Sequence, residues 1–201
     1  AVRHGASTHE RGQWLPEYDL IAMGSKYVSV YVADLREVAR RVGSRDRALA
    51  ERLTRDIDAA LAGPMRLLID GGYAGLPKAS RDQVAPGLIQ ACQVLCHDLC
   101  RVSATIEVYD DEVATPLLWE FLWSGWDGDD PLALPYSPYG VPAVVWHGPR
   151  RIAAYRNEFV SLRANDVYDR RYLPPSELDA LINLFDAAVA LNSGAFVFAD
   201  G

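Results

Sequence analysis

Long apolar runs, paired cysteines, excess positive charge and familiar catalytic motifs are all missing from this 201-residue chain, and each absence narrows what it can be. No stretch approaches the ~18–20 apolar residues of a membrane span, so no membrane partner is expected. Cysteine occurs three times, at Cys92, Cys96 and Cys100. An odd number so closely spaced is no disulfide framework, and a reducing cytoplasm is the simplest location. Residues 1–22 contain Arg and Glu but no signal-peptide apolar region, which gives secretion no support. Lys and Arg number 20 against 27 Asp and Glu, for a net charge of −7. Duplex binding draws most of its affinity from cations placed on phosphates, so no nucleic-acid partner is expected and a basic partner suits the chain better. Gly-x-Ser-x-Gly and His-Glu-x-x-His do not occur, nor do the glycine spacings of the dinucleotide and nucleotide-triphosphate loops. Gly71, Gly72 and Gly75 therefore read as a turn, and no cofactor is expected.

What is present describes an ordinary folded domain. Half of the residues are hydrophobic, 23% are charged and 10% are aromatic, which excludes disorder and fibrous repeats. Residues 1–22 are expected to be an extension or flexible arm, and residues 23–201 a single domain. Val28, Val30 and Val32 alternate with Tyr27, Ser29 and Tyr31, so residues 27–33 predict a strand with one buried side. Residues 102–108 alternate in the same way, and residues 143–146 and 195–199 read as two further short strands. Asp34 is placed to cap a helix ending near Gly43. Ser44 is placed to cap a second, on which Leu49, Leu53, Ile57 and Leu61 recur at helical spacing until Gly63 and Pro64 stop it. The outer face of that helix offers Arg47–Glu51, Glu51–Arg55 and Arg52–Asp56 at a separation of four.

Further helices are expected over residues 84–100, with Pro86 in the first turn, and after Asp110 or Asp111. Two more follow over residues 150–162 and 176–191, the last with Pro175 at its start and Gly194 at its left-handed C-terminal position. Runs of helix between separated strands, without regular strand–helix–strand alternation, predict an α+β fold. Its helices would pack on a small sheet that includes the first strand, 27–33, and the last, 195–199.

Charge is uneven along the chain. Residues 34–66 carry +2, whereas residues 67–130 carry −8. Trp119, Trp123 and Trp126 lead into a long Gly-, Pro- and Asp-rich loop over residues 124–142, with Trp119 and Trp123 expected in the core and Trp126 outside it. Trp126, Asp127, Asp129, Asp130, Tyr136 and Tyr139 are the candidate binding residues, since exposed aromatics beside carboxylates suit a basic protein surface. A catalytic alternative uses His147, at the end of a short strand, as acid or base with Asp129 or Asp130 orienting it. A metal alternative uses Cys96 and Cys100. The spacing of Cys92, Cys96 and Cys100 puts all three on one helical stripe with Leu88, Leu95 and Leu99, however, and core packing is the simpler reading, with no metal.

Several segments together resemble actinobacterial proteins related to the YfbM-like superfamily. They are Val28-Ser29-Val30-Tyr31-Val32-Ala33-Asp34-Leu35, Val42-Gly43-Ser44-Arg45-Asp46, the Leu95-Cys96 helix, and Tyr172-Leu173-Pro174-Pro175-Ser176-Glu177-Leu178. The resemblance implies an α+β fold and a cytoplasmic bacterial protein, and it supplies no catalytic residue. The first expectation is thus a non-catalytic interaction protein, of the immunity or antitoxin kind, that binds a basic protein through its acidic, aromatic-rich region. A small enzyme acting on a soluble metabolite through His147 is the alternative.

Overall fold

A computed structural model describes residues 26–55, 57–109, 115–124, 131–135 and 143–200. The expected extension over residues 1–22 lies outside them. The architecture is α+β, with seven α-helices among the described residues and one four-stranded antiparallel sheet in the order β2-β1-β4-β3. The strands are β1 (Lys26–Val32), β2 (Val102–Val108), β3 (Ala143–His147) and β4 (Ala195–Asp200). The first and last strands pair with each other, Val30 opposite Val197, at the middle of the sheet.

Side chains alternate across a strand, so each face of the sheet feeds a separate core. Val28, Val30, Val32, Ile106 and Val197 point to one side, where they meet α5 (Pro116–Trp123), α6 (Pro149–Asn165) and α7 (Pro175–Ala190). Tyr31, Phe196 and Phe198 point to the other, where they meet α1 (Leu35–Arg41), α2 (Arg47–Thr54), α3 (Ala59–Asp70) and α4 (Lys78–Leu99). The result is three layers, helices on both faces of the sheet. The expectation of one buried side for β1 is too narrow: Tyr31 and Ser29 are buried as well, because β1 is central and α4 meets its second face through Gln93 and His97 at Tyr31. Ser29 and Thr105, opposite each other, place their hydroxyls 3.1 Å apart.

The helix starts follow their capping residues. Asp34 accepts from the Arg36 N–H at 2.7 Å, and Thr115 caps α5. Asp46, not Ser44, caps α2 through the Leu49 N–H at 3.0 Å. Two expected boundaries differ. The helix drawn from Ser44 to Gly63 is in fact two, α2 ending at Thr54 and α3 beginning after its own cap, Asp58, and α3 runs through Gly63 and Pro64. Pro86 likewise sits within α4 instead of in its first turn. At Pro64 packing repays the missing N–H: its ring lies against Gly87 of α4, where a Cβ would fall 2.7 Å from it.

Of the expected lacing of α2, the Arg52–Asp56 pair lies outside the described residues, and Glu51 forms no ion pair with Arg55. Arg52 reaches across to Asp98 on α4, its second nitrogen 2.8 Å from the carboxylate, and Arg47 and Glu51 form no ion pair with each other. The Arg52 guanidinium holds the Asp98 carboxyl below the ordinary carboxylate range. That contribution is present above the unfolded-state pKa and is lost as pH falls through the lowered folded value. On the far side, Arg156–Asp186 at 2.7 Å and Arg163–Asp179 at 2.8 Å join α6 to α7. No described helix is long and apolar enough to cross a membrane.

The stripe on α7 is buried through Leu178, Leu181, Phe185 and Ala188 but not through Val189, which is 44% exposed. Leu181→Ala is therefore expected to lower unfolding free energy by about 2–5 kcal/mol in urea titrations, and Val189→Ala by no more than about 0.5 kcal/mol.

Candidate functional surface and the residues that hold it

Trp126, Asp127, Asp129, Asp130, Tyr136 and Tyr139 lie outside the described residues, but the elements flanking them are fixed by identifiable contacts. Before the acidic segment comes α5, with Leu118, Phe121 and Leu122 buried against α6 and α7. After it come Leu132 and Leu134, which are buried in the other core, where the Tyr73 hydroxyl donates to the Leu132 carbonyl. The two described ends of the segment thus belong to opposite layers of the sandwich.

His147 belongs to the first of these anchors. Its ring is fully buried, stacked on Phe121 at 5.1 Å and met edge-on by Tyr155 at 5.1 Å. Nε2 lies 2.7 Å from the Phe121 carbonyl oxygen. A carbonyl only accepts, so Nε2 carries the proton and donates. Phe121 is in the last turn of α5, where a helix leaves its carbonyls without helical partners, and the last residue of β3 supplies one. This setting is that of a brace between sheet and helix. The catalytic alternative needs a ring that substrate can reach, and this one is closed off by Phe121 and Tyr155.

Tyr155 carries the same connection to the surface. Its ring lies against Phe121 at 5.3 Å, and its hydroxyl accepts from Arg151 Nε at 3.2 Å and lies 3.4 Å from both Ser124 Oγ and Glu120 Oε1. Arg151 also holds Glu120 at 2.9 Å. Helix α5 is therefore tied to α6 along its outer edge and to β3 underneath. Trp119 takes no part in this: it is 48% exposed, contrary to the expectation that it is core. The reason is the helix start. With α5 opening at Pro116, the buried positions are 118, 121 and 122, and position 119 faces outward. Trp123 is partly buried against the core, as expected.

Two of the three cysteines are core residues. Cys92 and Cys96 are fully buried on α4, and the Cys100 thiol, partly exposed, donates to the His97 carbonyl at 3.1 Å. Burial pushes the Cys96 thiol well above its ordinary value, with Cys92 beside it acting in the same direction, and burial raises Cys100 as well. A raised pKa keeps sulfur as thiol, the wrong state for a metal ligand or a nucleophile. Among the described residues no three His, Cys, Asp or Glu side chains converge on a point where a cation would sit, so Cys96 and Cys100 are not part of such a set.

At one end of the sheet the strand termini enclose a cleft of 500 Å³, lined by Arg36, Arg101, Trp146 and Ser193 among others. Gly194 borders it for a reason other than the one its position suggests. The left-handed residue after α7 is Asn192, at φ 48°, while a Cβ on Gly194 would fall 2.5 Å from the His147 carbonyl oxygen and 2.7 Å from the Trp146 ring. The glycine lets β4 start flush against the end of β3.

Comparison with family models, with curated proteins and with solved structures gives no match for this chain.

Two outcomes check the roles just described. His147→Ala removes a ring and leaves the Phe121 carbonyl unpaired, and it is expected to destabilise the protein by about 2–4 kcal/mol in denaturant titrations. In thiol titration with an aromatic disulfide at mildly alkaline pH, the native protein is expected to release reporter only from Cys100, with Cys92 and Cys96 reacting on unfolding. Rapid reaction of Cys92 and Cys96 in the native protein would contradict their assignment to the core.

Proposed function

We propose that the protein is a non-catalytic interaction protein, of the immunity or antitoxin kind, that acts in the bacterial cytoplasm. It docks a basic protein on the outer face of α5 and the acidic segment that follows. Kinship with the YfbM-like proteins, carried by the Val28–Leu35 and Tyr172–Leu178 motifs, belongs to the same reading. The observation that supports docking most strongly is Trp119, an indole left 48% exposed on a helix whose inner face is completely buried. Large exposed aromatics are over-represented among residues that dominate binding free energy, because they bury much apolar area with few rotatable bonds.

The helix that carries Trp119 is also held in place before any partner arrives. His147 fixes its last turn and the Arg151–Glu120–Tyr155 cluster fixes its edge. A surface already ordered loses little conformational entropy on association. Asp127, Asp129 and Asp130 follow within a few residues and contribute much of the −8 on residues 67–130. Carboxylates around an aromatic anchor speed encounter with a cationic partner and discriminate against acidic ones.

The test is capture of partners from the basic fraction of a cognate lysate. Trp119→Ala is expected to weaken capture by about 30-fold, the size of a binding hot spot of ~2 kcal/mol. Changing Asp127, Asp129 and Asp130 together to Asn is expected to slow association and flatten its dependence on salt. Capture that is unchanged in both variants overturns the reading.

A further inference from the structure

The basic segment of this acidic chain folds into a cleft of its own, on the face of the molecule formed by the α1–α2 connection, α2 and α3. Arg45, Arg47 and Arg66 line it together with Glu51 and Asp70, and its volume is 490 Å³, within the ~300–1,000 Å³ typical of small-molecule sites. Several arginines elsewhere are neutralised by carboxylates, among them Arg41 by Glu37 at 3.0 Å and Arg163 by Asp179 at 2.8 Å. Among the described residues, the guanidinium groups of Arg45, Arg47 and Arg66 form no ion pair with a carboxylate, although two carboxylates share their cleft.

The three guanidinium groups come from two places in the chain, Arg45 and Arg47 at the start of α2 and Arg66 on α3, which a clamp brings together. The Gly43 N–H donates to the Leu68 carbonyl at 3.0 Å and the Arg45 N–H to the Ile69 carbonyl at 2.9 Å, so the α1–α2 connection caps the C-terminus of α3. The backbones touch at Gly43 and Gly71, where a Cβ on Gly71 would fall 2.9 Å from the Gly43 Cα. Arg45 is thereby held at φ 59°, a left-handed conformation that a non-glycine residue keeps only when its surroundings impose it. Arg47 opens α2 and Arg66 lies on α3.

We propose that this cleft binds a phosphorylated sugar. The phosphate sits among Arg45, Arg47 and Arg66, whose planar forks match its oxygens, and the sugar hydroxyls donate to Glu51 and Asp70. Two carboxylates that leave their neighbouring arginines unpaired are suited to a ligand with an anionic end and a hydrogen-donating end. The site is separate from the α5 face, and it stands or falls independently of the docking reading.

The experiment is calorimetric titration of the full chain with ribose 5-phosphate, with ribose and inorganic phosphate as separate arms. Saturable one-to-one binding of ribose 5-phosphate is expected, about tenfold or more tighter than inorganic phosphate, with none for ribose. Glycine accepts the left-handed backbone, so Arg45→Gly is expected to melt at or above the temperature of the unaltered protein while losing about tenfold or more in affinity. Glu51→Gln is expected to reduce the preference for ribose 5-phosphate over phosphate. Absence of saturable ribose 5-phosphate binding at millimolar concentration overturns the proposal. So does undiminished binding by Arg45→Gly, or tighter binding of a single-stranded oligonucleotide than of ribose 5-phosphate, which would make the arginines a nucleic-acid contact.

Discussion

The pairing of β1 with β4 is the constraint on which everything else rests. These are the first and last described elements of the chain, and they lie side by side in the centre of the sheet. Each contributes to both cores. Val28, Val30 and Val197 serve the layer of α5, α6 and α7, while Tyr31, Phe196 and Phe198 serve the layer of α1 to α4. A slip of one residue in this register would send the aromatics into the wrong layer and the valines into the other, so the register is specified twice over. The pairing closes the longest loop in the fold, and neither core is complete until it forms.

From that frame the surfaces follow. Strand β3 has its place only because β4 is there to pair with it, and its last residue, His147, reaches out of the sheet to hold the end of α5. The outward direction of Trp119 is thus set by a hydrogen bond made on the buried side of the same helix. On the opposite layer, the contact of Gly43 with Gly71 has a comparable effect: two backbones that can approach because neither carries a side chain fix where Arg45 points. In both cases a buried local fit decides what an exposed side chain presents to solution.

Much of the framework was legible in the sequence, and the physical reason is periodicity. Alternating β-branched residues marked β1 and β2 almost to the residue, and Asp34, Pro175 and the α7 stripe marked helices. What was illegible depends on contacts between distant residues. Pro64 and Pro86 read as stops or starts, yet both helices run through them, at Pro64 with packing against Gly87. Gly194 read as a helix terminator, whereas its role is to admit the His147 carbonyl and the Trp146 ring. Trp119 was misplaced because a spacing argument assigns a face only once the helix start is known. The candidate site was legible in part: Cys92 and Cys96 are core as read and Cys100 lies at its margin, while His147, weighed as an acid or base at a strand end, is enclosed. The arginine cleft had no signal beyond a local excess of positive charge, because the Gly43–Gly71 contact that builds it is not encoded by spacing.

The α5 face is the proposed docking surface of the protein, and the sheet is its support. Amide hydrogen exchange, followed for the protein alone and with its captured partner, tests that claim most directly. The result predicted is added protection over residues 116–124 in the complex, with β1 and β4 the slowest-exchanging segments in both samples and no change over residues 43–51. Protection gained elsewhere, with residues 116–124 exchanging as they do in the free protein, would contradict it.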